Sequence, residues 1–485
     1  VYQNPIDNNG DGFTDLTLQN RLSLFNKIDF LHDDKRIFNL AARYIYEERW
    51  GGEMNWKPSN RGSDSIYAES IHTNRWETFG TYELPMAPDV KFQFSGNGHI
   101  QNSYYGVTPY KADQYIGFGQ LTWNTPVGNK HSLLLGGAYR YTYYDDNTFA
   151  TLSEDGFKNN PSIIHLPGIF IQDEINLNEW QKILLGIRFD YNSIHGNVFS
   201  PRANYKWSSI DKNEIIRLSV GNGFRVANVF TEDHAALTGS RSVEFKDNLK
   251  PETSWNGNAN YIKNIIFKES ILTLDGSFFY TYFSNRILPD YESNSNKIIY
   301  SNLDGKSVSK GISLNVDVMF QNGLSLLAGA TLMDVSVIEK QVKTRQLLTE
   351  RFSSVWSISY RLKSLGVTID YTGNVYGPMR LPLLGRLDPR DEYSQWFSIQ
   401  NIQVTKKIRN IMELYVGVKN LLNFTPPSNS IARAFDPFDK EVQFNNEGQV
   451  IPSSNNPNGL TFDPSYVFTS NQGIRLFLGL NFTIY

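Results

Sequence analysis

The sequence predicts an all-β protein, a transmembrane antiparallel β-barrel, on three observations. Long segments alternate apolar and polar residues with period two, which puts the two sets on opposite faces of a strand. The 485 residues are 14% aromatic, with 27 Tyr and 31 Phe, yet the mean hydropathy is −0.40. No apolar run approaches the ~20 residues of a spanning helix. A chain polar on average but rich in aromatics fits a wall in which only every second residue faces lipid. The connections also alternate between tight turns and long loops, as they do when one end faces the periplasm and the other the exterior.

The alternation is clearest in two segments. Ile312, Leu314, Val316, Val318 and Phe320 take one face, opposite Ser313, Asn315 and Asp317. Ile183, Leu185, Ile187, Phe189 and Tyr191 likewise oppose Gly186, Arg188, Asp190 and Asn192. A soluble sandwich would alternate too. Arg, Asp and Asn in mid-strand favour a wet or protein-filled lumen instead.

In chain order, an acidic loop over residues 1–15 enters a strand at 16–31, which ends in a polar turn at 32–36. Strands follow at 37–50, 72–84 and 90–105, the last two joined by a proline turn at 85–89. The segment 114–125 turns at Pro126-Val-Gly-Asn129 into 131–145, and 168–175 turns at 176–179 into 181–194. Strands 199–208 and 214–224 flank the polar turn 209–213, and a long loop runs over 225–250. Next come 253–263, 272–284 and 306–320, then the Gln321-Asn-Gly323 turn and 324–335. Lys363-Ser-Leu-Gly366 joins 352–362 to 367–376, and Arg409-Asn410 joins 394–408 to 412–422. A very long loop precedes the final strand, 473–485. There the even residues Ile474, Leu476, Leu478, Leu480, Phe482 and Ile484 are all apolar, whereas Arg475, Asn481 and Thr483 are not. A lipid-facing Arg or Asn is costly, so the even set is expected to face out. Tyr485 then falls on the inward set, which suggests an interfacial anchor or at least one further residue.

Roughly 19 strands is an odd count, where a single-chain bacterial barrel should be even. Because 16–31 ends in a tight turn, it runs toward the periplasm, and an odd number of strands is expected before Val1. Adding three gives about 22, the number found in plugged outer-membrane transporters. The expected organisation is an extracellular loop over 1–15 and a barrel over 16–485, with the first strands and a plug ahead of residue 1. Val1-Tyr-Gln-Asn-Pro is no signal peptide, so the chain reads as mature or as a fragment. Cysteine is absent, which rules out disulfides and thiolate metal sites, and a net charge of −3 argues against nucleic acid as a partner.

Several motifs resemble TonB-dependent outer-membrane receptors. They are Pro167-Gly-Ile-Phe-Ile-Gln-Asp-Glu174, Phe199-Ser-Pro-Arg-Ala-Asn-Tyr205, Gly221-Asn-Gly-Phe-Arg-Val-Ala-Asn-Val-Phe-Thr-Glu232, Leu249-Lys-Pro-Glu-Thr-Ser254 and Val418-Lys-Asn-Leu-Leu-Asn423. Each is weak alone, but all five stand in the family's order. The region 7–30 and Glu47-Glu-Arg-Trp-Gly-Gly52 are most similar to receptors of the Bacteroidetes. The resemblance implies a 22-stranded barrel plugged by an N-terminal domain in the bacterial outer membrane. It also implies uptake of scarce nutrients powered by the TonB complex, without covalent chemistry. The chain departs from the family in showing neither plug nor energy-coupling box.

Candidate sites cluster at the outer end. In Asp7-Asn-Asn-Gly-Asp-Gly-Phe-Thr-Asp15, Asp7, Asn9, Asp11, the Phe13 carbonyl and Asp15 have the spacing of oxygen ligands in a calcium loop. The closing position holds Leu18, so no bidentate Glu completes it; the plainer alternative is an Asn-Gly/Asp-Gly turn cluster. Trp50, Trp56, Tyr67, Tyr104, Tyr105 and Tyr110 lie at or above the outer rim, where a small organometallic ligand could stack or where a girdle would anchor strand ends. Arg75, Arg140 and Arg241 could draw in an anionic chelate or contact a plug. Of His72, His99, His165, His195 and His234, one could serve as a haem axial ligand; none sits in a partner motif. No nucleophile elbow or Ser-His-Asp arrangement points to an enzyme.

These readings converge on active import of a metal chelate, with ferric siderophore leading, cobalamin next because of the calcium-like loop, and haem third. The partners expected are outer-membrane lipid, the TonB complex acting through a plug, and the chelate itself. A passive porin of fewer strands and a barrel docking a surface lipoprotein on residues 425–466 are the alternatives.

Overall fold

The computed structural model describes residues 1–31, 36–85, 89–153, 156–226, 241–246, 249–268, 270–291, 293–294, 296–408, 411–446 and 448–483. Most of the turns 32–36 and 85–89, the turn 409–410, most of the loop 225–250 with His234, and the terminal Ile484 and Tyr485 lie outside the described residues.

The strands are β1 Leu18–Leu31, β2 Ile37–Gly52, β3 Ala68–Glu83, β4 Val90–Tyr105, β5 Thr108–Val127 and β6 His131–Asp146. Then come β7 Ser162–Asn176, β8 Gln181–Asn192, β9 Gly196–Ser208, β10 Glu214–Arg225, β11 Ser242–Phe245 and β12 Glu252–Phe267. These are followed by β13 Ser270–Asn285, β14 Ile287–Asp290, β15 Lys297–Asn302, β16 Gly305–Met319, β17 Leu324–Glu339 and β18 Val342–Arg345. The last five are β19 Phe352–Leu362, β20 Val367–Tyr376, β21 Phe397–Ile408, β22 Met412–Lys419 and β23 Arg475–Phe482. Leaving aside the short β11, β14, β15 and β18, each strand pairs antiparallel with the next in one continuous meander from β1 to β23. All nineteen segments expected as strands are therefore strands, and the all-β barrel wall is confirmed.

Register fixes the two faces. On β8, Leu185, Ile187, Phe189 and Tyr191 are exposed toward lipid, while Asp190 and Asn192 are each only 2% exposed on the inner face. On β23, Leu476, Leu478, Leu480 and Phe482 share the outer face with Val418, Val416, Leu414 and Met412 of β22. The inner face is polar and cross-linked. From β1 to β3, Arg21 and Arg49 reach Glu47, and Arg43 and Arg75 reach Glu77, at 2.5–3.6 Å. Such half-exposed pairs add little stability singly, but they keep long charged side chains ordered along a wet wall.

The motif segments of β7–β9 have a physical reason to be there. Arg188 forks onto Asp190 at 2.6 and 2.7 Å, and Asp190 lies so near Gly168 that a Cβ there would meet Oδ1 at 2.0 Å. Arg202 donates to Gln172 and passes across Gly186. At the end of β22, Asn420 adopts a left-handed backbone (φ 53°). Its buried amide accepts from Phe424 N and donates to Phe424 O, closing the turn of the Val418–Asn423 motif. That cap ends β22 at Lys419, three residues short of the expected 422.

Candidate functional site at the outer mouth

The outer ends of the wall are held by loops that fold back over the lumen. β14 and β15 form a hairpin, and β11 adds to β15 in parallel, giving a three-stranded sheet. Its Ile298 and Tyr300 pack onto Ile71, Tyr105, Tyr110, Ala112 and Tyr144 of β3–β6. A second cluster joins Phe13 and Tyr67 to Ile431 and Phe462, and a third joins Met379, Leu381 and Phe397 to Tyr466. These short strands were not expected from sequence, because four to six residues, one set containing Pro289, give too little periodicity.

Buried charge ties the loops together. Arg241, 4% exposed, pairs with Asp463 and donates to the Tyr291 carbonyl at 2.8 Å. Arg390 forks onto Asp388, donates to the Ser430 carbonyl at 3.2 Å and lies over the Tyr466 ring at 4.4 Å. Arg433 bonds Asp436 and stands 3.7 Å from Asp439. On the lumen side of this dome is a cavity of about 340 Å³ whose lining includes Arg49, Glu69, Thr17, Tyr67, Phe462 and Asn471. The Asn471 Oδ1 is buried without a partner among the described residues.

The aromatic residues singled out in the sequence divide by strand parity and burial. Tyr105 and Tyr110 face inward and are buried, with the Tyr110 hydroxyl 2.9 Å from that of Tyr144. Tyr67 is buried against Phe13 and Phe462. Tyr104 is on the opposite face of β4 from Tyr105 and carries the Arg61 guanidinium 4.6 Å above its ring. Trp50 and Trp56 pack against each other, tilted by 38° with ring centroids 4.7 Å apart, the latter buried. The six therefore do not form one open stacking surface: four are packed into the rim and dome. Of the arginines, Arg75 bonds Glu77, Arg241 locks the dome, and Arg140 is exposed on the inner face. Of the histidines, His165 bonds the Tyr139 hydroxyl at 2.7 Å on the outer face, and His99 reaches Gln101 inside. Tyr144, Tyr300, Phe462, Arg390 and Arg433 were missed, and only the Asp388/Arg390 and Arg433/Asp436 spacings left a local trace.

In the acidic loop, Asp7 accepts from the amides of Gly10, Asp11 and Gly12, and Asp11 accepts from Phe13 N. Asn9 donates to Asp11, and Asp15 accepts from Asn8 N. These are the bonds of an Asn-Gly/Asp-Gly turn cluster, while the Asp15 Oδ1 is buried without a partner among the described residues. Burial pushes the Asp15 carboxyl up, the Asn8 amide opposes this, and the charges of Asp7 and Asp11 add to the rise. Among the described residues, no group of three or more His, Cys, Asp or Glu side chains is placed to hold a metal ion.

Asp439 gives the dome a pH dependence. Burial raises its carboxyl to about 6, helped by Asp436 and Asp463 and opposed by the Phe462 amide and Arg433. A raised carboxylate pKa means that the folded loop keeps a proton the unfolded chain has already lost. Stability contributed by Asp439 is therefore present at low pH and lost as pH rises through about 4 to 6. Asp439→Asn keeps the acceptor for Phe462 N and tolerates the left-handed backbone (φ 52°). The variant is expected to gain roughly 1–2 kcal/mol of local protection at pH 7 and none at pH 4. Amide exchange of residues 430–446 and 460–466 at both pH values measures this.

The wall, its polar inner face and the loops packed on its inner rim are those of an outer-membrane β-barrel. The chain belongs to the TonB dependent receptor-like, beta-barrel family, which matches residues 1–421. It is 30% identical over 133 residues to the iron-regulated outer membrane virulence protein of Vibrio cholerae serotype O1, a match covering 27% of this chain and 20% of that protein. The matched segment thus spans about a fifth of that relative. Among solved structures, the siderophore receptor PirA from Acinetobacter baumannii gives a TM-score of 0.63 at 13% identity, over 84% of this chain and 67% of that one. The FrpB iron transporter from Neisseria meningitidis gives 0.62 at 13%, over 84% and 68%. A variant of the ferric enterobactin receptor PfeA from Pseudomonas aeruginosa gives 0.59 at 13%, over 96% and 81%. At such identities these likenesses show the shared fold.

Proposed function

We propose that this protein imports a metal chelate across the outer membrane in a TonB-dependent manner, and that the chelate is a ferric siderophore. The observation carrying this reading is the dome. Loops cross-linked by buried ion pairs pack on the inner rim beside a cavity that combines Arg49, Glu69 and aromatic rings. A capture site suits such an ordered, ion-paired loop layer better than a passive pore does. The names of the relatives, an iron-regulated protein and several siderophore receptors, favour iron over cobalamin or haem. In this reading the outer loops capture the chelate, and TonB, acting through a plug, drives its passage. Calcium at Asp7, Asn9, Asp11, Phe13 and Asp15 belongs to the same proposal, since a cation would relieve the crowding of Asp7 and Asp11 around Asp15.

Fluorescence-quench titration of the full-length protein tests it, using ferric catecholate, ferric hydroxamate, cobalamin and haem, each with and without calcium. Saturable binding of one ferric chelate, lost in Arg49→Ala, is the expected result. Binding only of cobalamin or haem overturns the substrate class, and identical curves with and without calcium remove the cation. Ion conductance without any ligand binding would mark a porin, and a co-purifying lipoprotein would mark a docking barrel.

A further inference from the structure

One arginine at the inner rim is not neutralised. The odd residues of β13 face inward, so Phe283 points to the lumen opposite Ser307 of β16. The β12–β13 pairing then shifts register between Thr253 and Ser254, which inserts one extra residue into β13. A bulge of this kind re-aims the side chains that follow it. It brings Arg286 back to the inner side, where its guanidinium lies 5.3 Å from the centre of the Phe283 ring. The Arg286 Nη1 donates to Ser307 Oγ at 3.2 Å and to Gln346 Oε1 at 2.8 Å. Both acceptors are neutral. Ser307 is fully buried and donates in turn to the Ser336 carbonyl at 3.2 Å, so this anchor is fixed.

The neighbouring carboxylate, Glu252, is already committed. Its Oε2 accepts from Nε and Nη2 of Arg225 at 2.8 and 2.6 Å, and its Oε1 accepts from Ile287 N at 3.1 Å. Among the described residues Arg286 has no ion-pair partner, unlike Arg241, Arg390 and Arg433 of the same loop layer. Burial pulls its pKa below the ordinary arginine value; Glu252 opposes this and Arg225 adds to it. The surroundings thus leave this charge uncompensated. Nη1 has used both its hydrogens, so Nε–H and Nη2 remain as donors along one edge of the plane. Neither of these nitrogens is sealed from solvent.

We propose that Arg286 is a carboxylate-binding site at the outer mouth, and that the chelate drawn in there carries a free carboxylate. The second statement rests on the import of a ferric chelate proposed for this protein; the first does not. The Nε/Nη2 edge of a guanidinium offers two parallel N–H groups that match the two oxygens of a carboxylate. Ser307 and Gln346 hold the third nitrogen, so the fork is oriented before the ligand arrives and little side-chain freedom is lost on binding. The Phe283 ring supports the guanidinium from the wall. A chelate without a carboxylate leaves this edge unmatched, so the site also sorts ligands.

The full-length protein in detergent micelles provides the test, with ferric citrate, a neutral ferric trihydroxamate and metal-free citrate as probes. Fluorescence quenching is expected to show ferric citrate bound about tenfold or more weakly by Arg286→Gln, since a charge-assisted pair is lost. Arg286→Lys should lose nearly as much, because an ammonium keeps the charge without the fork. Any binding of the trihydroxamate should be the same in wild type and both variants. In a separate arm, phenylglyoxal labels the accessible arginines of the wild type, and peptide mass spectrometry reads each position. Metal-free citrate should protect Arg286 and leave the exposed Arg140 labelled, while the buried Arg241 and Arg390 stay unlabelled throughout. Protection of Arg286 without binding of any ferric chelate would keep the site and end the import proposal. Equal ferric citrate affinity in wild type and Arg286→Gln, or Arg286 labelling unchanged by citrate, overturns the site.

Discussion

Arg241→Ala is expected to open the outer dome while leaving the wall intact. The substitution strands Asp463, whose side chain is 5% exposed, as a buried charge without its counter-ion. It also removes the donor to the Tyr291 carbonyl. Breaking one side of a buried pair typically costs about 3–5 kcal/mol, more than the half-exposed pairs of the inner wall can supply. The loss should be local, because Arg241 precedes β11 and Asp463 lies in the loop before β23, neither of them in the wall. Amide exchange should therefore accelerate at residues 287–303 and 430–466 and stay unchanged in β5–β8. Asp463→Asn in the Arg241→Ala background should recover part of the protection, since a neutral amide is cheaper to bury. Unchanged exchange in the single variant would show that Tyr300, Ile298 and Phe462 hold the dome by packing alone. If the dome captures ligand, the same variant should bind the ferric chelate more weakly without losing its place in the membrane.

The wall was legible because period two is a local signal, and because the periplasmic turns carry their own chemistry. Gln321-Asn-Gly323 and Lys363-Ser-Leu-Gly366 place glycines at φ 91° and 59°, where a side chain would be strained. Near such turns the bounds are close: β4, β19 and β20 match expectation at both ends. The outer ends were less legible. β3, β5 and β7 start four to six residues before the expected 72, 114 and 168. Tyr105, Tyr110 and Tyr144 at those ends are buried by Tyr300 and Ile298, far away in sequence. No local window contains that contact. The same applies to the site. That aromatics gather at the rim could be read from composition, but Tyr104 and Tyr105 differ only by parity. Arg241 and Asp463 are 222 residues apart, so their pairing leaves no trace in either neighbourhood. The small sheet of β11, β14 and β15 was invisible for a related reason, since strands of four to six residues are stable only on a surface that already exists.

Leu478→Arg should disrupt the last hairpin, whereas Asn481→Arg in the same strand should be tolerated. Leu478 is 72% exposed and stands opposite Val416 on the face shared with Leu476, Leu480 and Phe482. If that face meets hydrocarbon, an arginine there costs about 2–4 kcal/mol near the midplane. Asn481 is opposite Glu413 on the other face. An arginine at 481 gains an acidic neighbour in a polar lumen and should change stability by well under 1 kcal/mol. Reversible folding into phospholipid vesicles, followed by tryptophan fluorescence in urea, measures both differences. The contrast separates facing from strand disruption, because both substitutions place the same side chain in β23 and differ in parity. Equal losses at 478 and 481 would mean that strand propensity, not lipid, sets the cost. A larger loss at 481 would reverse the faces of β22 and β23, and with them the inward assignment of Arg475.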